Sequence, residues 1–158
     1  MSEKRSWLDG PQVPGEHEYS ADLSKYPGQT FGLPQSGPGS LATLMPRMAA
    51  LLIDWLLCFG MAFFVTRTTT ALGDTSTVTL LLFVALRVIT VWLFAQSPGH
   101  SLVGLGVGRL DQPDARVGFV RALARTILTV FLLPPIVQDT DGRGMHDRAT
   151  GTAVIRTR

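Results

Sequence analysis

Two apolar runs constrain this chain more than anything else in it. From Met45 to Thr66 and from Thr77 to Gln96 the sequence stays hydrophobic, each run supplying about the 20 helical residues that cross a bilayer core of about 30 Å. The polar stretch TRTTTALGDTS joins them and is short enough for an antiparallel helical hairpin. Composition agrees: the chain is 46% hydrophobic and only 16% charged, whereas soluble domains carry about a quarter charged residues. The reading is an all-α membrane protein built on a two-span hairpin, spans about 45–66 and 77–96.

Both runs contain a charge where charge is costly. Asp54 lies inside the first and Arg87 near the middle of the second, and antiparallel neighbours bring them to similar depth. A lone charge at the bilayer centre costs at least about 2.5–3.5 kcal/mol, so the two are expected to pair through charge-assisted hydrogen bonds. Arg47 stands at the mouth of the first run, on the same face as Asp54 but about 10 Å away along the axis. Helical side chains lean toward the N-terminus, which points Arg47 to the lipid headgroups or to the C-terminal region.

A third apolar segment, about 119–138, is harder to place. Its core, RTILTVFLLPPIVQD, has too short an uncharged part to cross comfortably and is interrupted by Pro134-Pro135. It reads as a re-entrant or kinked helix. With two spans, every Lys and Arg except Arg67 and Arg87 falls on one side. That satisfies the positive-inside rule better than three spans would, and it puts both termini in the cytoplasm of a plasma-membrane protein. Residues 1–43 are broken by Pro11, Pro14, Pro27, Pro34 and Pro38 and by interspersed glycines, which predicts a disordered tail before the membrane domain, 44–158. The acids of the tail balance its bases, so nucleic acid is not an expected partner. Arginines outnumber lysines twelve to two, a bias that points to a GC-rich bacterial genome.

Several motifs bring a family to mind. An arginine and an aspartate open the chain's first span in the form R-x-x-A-x-x-I-D (Arg47 and Asp54). A middle motif reads SPGHSLVGLGV (Ser97 to Val107), the basic segment FVRALART follows, and a late motif reads MHDRATGTAVI with Asp147. In this order, over about 44–156, the chain resembles the RDD family of small multi-pass bacterial membrane proteins, named for one arginine and two aspartates. The resemblance implies a membrane location and makes Arg47, Asp54 and Asp147 the residues to watch. His100 stands where the family has a basic residue after Pro-Gly, and Arg87 is not among its hallmarks. Transport is the activity often suggested for the family.

The late motifs also read as two short strands. LVGLGVGRL and GTAVIRTR place β-branched residues beside glycines, and pairing them gives a short cytoplasmic β-hairpin. Asp147 then accepts from Arg47 or Arg121.

Catalytic constellations do not assemble. Gly104, Gly106 and Gly108 lack the later spacing of a dinucleotide loop, and Pro113 blocks the helix that would follow. GHSLVG has Val103 where a nucleophile elbow needs glycine. His17, His100 and His146 are too dispersed for a metal site, and Cys58 is a lone thiol within an apolar run. The expectation is a non-catalytic protein with no metal or cofactor, an accessory subunit of a larger membrane complex. A respiratory-chain assembly is one candidate host, and membrane lipids and other subunits are the expected partners. The alternative is a homo-oligomeric ion or small-solute transporter using Asp54.

Overall fold

The computed structural model describes residues 25–111, 115–131 and 143–158. They fold into a mostly helical structure with two long apolar helices and a two-stranded sheet. Helix α1 is Leu44–Thr68 and α2 is Thr75–Phe94. Pro46 is tolerated in the first turn of α1, where its missing N–H has no intrahelical acceptor. Asp74 starts α2, its carboxylate accepting from Ser76 N at 3.1 Å and from the Thr77 hydroxyl at 2.6 Å. The far ends of the two helices are tied by a 3.1 Å contact between the Thr66 and Thr75 hydroxyls.

Both helices are long and apolar enough to cross a membrane, with a mean hydropathy of 2.2. Their packing is inverted relative to a soluble core. The buried residues of α1 are Arg47, Ala50, Asp54, Cys58 and Ala62, which lie on one stripe three or four residues apart. The opposing stripe of α2 includes Thr79, Phe83, Arg87 and Val91. Leu52, Leu56, Phe59 and Phe64 of α1, with Leu81, Ile89 and Leu93 of α2, face outward. Small and polar residues thus fill the α1 side of the contact, Phe83 and Val91 join Arg87 on the α2 side, and many of the other large apolar residues are exposed.

The second helix stops sooner than its composition predicts. Ala95 takes a left-handed conformation (φ 57°) and donates to Val91 O, so Ala95 and Gln96 lie outside α2. Ser97 immediately caps the next helix, α3, Pro98–Val103, which ends at left-handed Gly104 and runs into strand β1, Leu105–Arg109. Helix α4, Phe119–Phe131, packs against α2, with Phe119 edge-on to Trp92 at 5.5 Å. Its 13 residues reach about 20 Å, short of a bilayer core. The Pro134-Pro135 interruption and the rest of the third segment fall outside the described residues. Helix α5, Met145–Thr150, leads through left-handed Gly151 into strand β2, Thr152–Arg156.

The sheet corrects two expectations. β1 and β2 pair antiparallel, from Leu105 with Arg156 to Arg109 with Thr152, but they do not form a hairpin. The chain between them carries α4 and α5, so the pairing of the strands is a long-range contact. Nor are residues 1–43 disordered throughout. Gly39 N donates to Arg156 O at 2.8 Å, Arg156 N to Ser40 O at 2.9 Å and Ala42 N to Val154 O at 2.9 Å. Leu41 thereby bridges Ile155 on the open edge of β2, which satisfies backbone groups that an edge strand leaves unpaired. Leu105, Val154, Ala42 and Ala50 bury together and fix the sheet to the start of α1. Val107 joins Val91, Val117 and Ala122 and fixes it to α2 and α4.

Candidate functional site

The charges singled out in the sequence meet in the interior as two linked nodes. In the first, Asp54 is fully buried and accepts from three donors at once. Arg87 Nη1 of α2 donates to Oδ2 at 3.1 Å, the Ser97 hydroxyl to Oδ2 at 2.5 Å, and Gly99 N of α3 to Oδ1 at 2.7 Å. Ser97 is the hinge of this node, for its oxygen also accepts from His100 N at 3.2 Å and caps α3. The approach of α3 depends on glycine. A Cβ on Gly99 would overlap the Ala50 carbonyl oxygen and lie 3.0 Å from Asp54 Cγ. The Ser-Pro-Gly sequence therefore supplies a cap, a first-turn proline and a bare backbone, each needed to seat α3 on α1.

In the second node Asp147, in the first turn of α5, sits at 0% exposure among bases. Arg125 Nη2 lies 3.0 Å from its Oδ1, Arg47 Nη1 3.6 Å from its Oδ2, and His146 Nε2 3.6 Å from Oδ1. Arg125 also donates to the Thr152 hydroxyl at 3.1 Å. Arg143 donates to the Asp147 and Thr152 carbonyls at 3.2 and 3.0 Å and stacks over Phe31 at 4.5 Å. Of the two destinations expected for Arg47, the structure selects the C-terminal region: Arg47 is 3% exposed and turned inward.

Arg121 does not reach Asp147. It binds Asp111, with Nη2 2.9 Å from Oδ2, and donates to Thr150 O at 3.2 Å. The rotational phase of α4 decides this, because Ala122, Arg125, Thr126 and Thr129 form its buried side and Arg121 lies beside that stripe. Asp111 also takes Arg109, and hydrogen bonds from Arg109 and then Arg121 hold its carboxyl well below the usual range.

The histidines belong to the same interior. Burial lowers His100 well below its ordinary range, and neighbouring Arg87, Arg125 and Arg47 reinforce the shift. His146 is lowered to about 4, again first by burial, with Asp147 opposing. Both rings are therefore neutral at pH 7. Among the described residues no three His, Cys, Asp or Glu side chains gather to hold a metal ion.

Asp54, Ser97 and His100 have the composition of a catalytic triad but not its order. The serine stands between the other two, giving its proton to Asp54 and contacting His100 Nδ1 at 3.0 Å. A triad needs the histidine in the middle, taking the serine proton while the carboxylate orients it. Ser97 is also only 1% exposed. The constellation is a helix cap linked to a buried ion pair.

Set against protein-family models, curated proteins and solved structures, the chain has no match in any of the three. Its site is read from its own geometry. Ser97, Gly99, Arg125, Arg143 and Thr152 are the working residues that the sequence reading did not single out as partners of the two aspartates. Ser97 and Gly99 were within reach of it, since a serine before Pro-Gly is a cap signal. The choice of Arg125 over Arg121 was not, because both lie on the same short helix.

Proposed function

We propose that this chain is a non-catalytic integral membrane protein of the RDD type that serves as an accessory subunit of a larger membrane assembly. The observation that carries the reading is the saturation of Asp54. Its two oxygens take donors from Arg87, Ser97 and Gly99, so the carboxylate is committed to holding α1, α2 and α3 together. An ion-carrying carboxylate has to release its partners in each cycle, and this one would unseat α3 by doing so.

The convergence of Arg47, Asp54 and Asp147 on adjoining buried nodes supports the family resemblance, since Asp147 is far from the other two in the chain. The exposed apolar flanks of α1 and α2 fit lipid and neighbouring helices. The sheet supports a shared sidedness: if α1 and α2 span the bilayer, residues 39–42 pair with β2 and lie with it on one side, as a reporter fused after Arg158 would read. The arginine distribution favours the cytoplasm for that side.

The test is cation flux in reconstituted vesicles. The proposal expects the wild-type chain and Asp54→Asn to be equally silent, with folding of each verified. A cation-driven signal abolished by Asp54→Asn would instead establish the transporter reading.

A further inference from the structure

Between the two nodes lies a small cavity lined by Arg47, Arg87, Arg125, His100, His146 and Thr129, with room of about 10 Å³. All six of these side chains belong to residues at least nine-tenths buried. The lining is rich in unanswered donors. Among the described residues, Arg47 Nε, Nη1 and Nη2, Arg87 Nε and Arg125 Nε are buried without a hydrogen-bond partner. Buried guanidinium N–H groups rarely go unmet, and here they belong to residues of three different helices that line one space.

Charge points the same way. Three guanidiniums line the cavity, and the carboxylates paired with them are Asp54 and Asp147. One positive charge is left over, in a setting where an uncompensated buried charge is strongly destabilising. Neutral histidines cannot offset it. A water would satisfy some donors but leave the charge.

We infer that this cavity is a binding site for a single monovalent anion the size of a halide, held by Arg47, Arg87 and Arg125. Room for about one small sphere suits a single monatomic anion around which the guanidinium side chains close, and it excludes phosphate and sulfate. The anion would link α1, α2 and α4 at the point where both aspartate nodes meet, as a structural ligand. This inference is independent of whether the protein is an accessory subunit.

The test uses the full-length chain purified throughout in gluconate, with chloride titrated in at constant ionic strength. Thermal unfolding is expected to shift upward by about 4 °C for each tenfold of chloride beyond half-saturation. Bromide is expected to give an anomalous scattering peak inside the cavity. Arg47→Gln should weaken the chloride response at least tenfold; should that variant not fold, the wild-type bromide map still decides. Identical unfolding in chloride and gluconate, or bromide only at the surface with a water in the cavity, would overturn the proposal.

Discussion

Gly99 gives its backbone N–H to Asp54 at 2.7 Å from a position where any side chain would overlap the Ala50 carbonyl. One glycine thus sets both the distance between α3 and α1 and the third bond of a buried carboxylate. Gly99→Ala has to push α3 off α1, and with it the Ser97 and Gly99 donors. The expected cost is about 3 kcal/mol, combining overpacking with a lost charge-assisted bond. Thermal unfolding in detergent reads it; a variant as stable as the parent would mean that α3 is not seated as described.

The pair at the centre of the helix contact predicts an asymmetric double-mutant cycle. Asp54→Asn leaves Arg87 buried without its counter-charge and should cost about 3–5 kcal/mol. Adding Arg87→Leu should recover part of that loss, because the guanidinium no longer needs an answer. Ser97→Ala removes only a cap and one donor to Asp54, with a smaller loss of about 1–2 kcal/mol. Denaturant titration of the wild type, Asp54→Asn, Arg87→Leu, their double variant and Ser97→Ala checks the order, and additive losses from Asp54 and Arg87 would contradict the pairing.

A contrast between two arginines of α4 tests the second node. Arg125 is 1% exposed against Asp147, whereas the Arg121 and Asp111 side chains are 34% and 44% exposed. Arg125→Ala should therefore destabilise by about 3 kcal/mol or more, and Arg121→Ala by less than about 1 kcal/mol. Equal losses in unfolding experiments would place α4 in a different rotational phase.

The buried histidines predict acid sensitivity of a definite sign. His146 is lowered from 6.5 to about 4 in the folded chain, chiefly by burial, and His100 is lowered as well. Between those pH values the unfolded chain binds more protons, so stability rises with pH across the window. Their contribution is complete above about pH 7 and is lost as pH falls toward the folded value, about 3 kcal/mol for His146 at about 1.4 kcal/mol per unit. Unfolding temperature followed from about pH 7.5 down to about pH 5 should drop, and His146→Gln should flatten the slope. A flat wild-type profile would contradict neutral burial.

How much of this was legible in the sequence depended on range. Hydrophobic periodicity and length are local, and they led to α1, α2 and both strands. Matching depth on antiparallel helices was enough to bring Asp54 to Arg87. The rest turned on long-range geometry. Ala95 ends α2 by a left-handed turn in an otherwise helical composition. Residues 39–42 take order from the open edge of β2, a partner more than a hundred residues away, which their glycines and prolines cannot show. Arg47 was one of the two partners expected for Asp147, and α5 and the sheet, folding back over the start of α1, bring it there while Arg121 turns to Asp111.

On the proposed function, the buried charges build a scaffold whose apolar outer face meets a host assembly. Purification from native membranes in a mild detergent, with subunit stoichiometry determined by intact-complex mass spectrometry, tests it most directly. The expected result is a heteromeric complex holding this chain at a fixed integral ratio, lost with Gly99→Ala. A chain that emerges alone or only with copies of itself would contradict it.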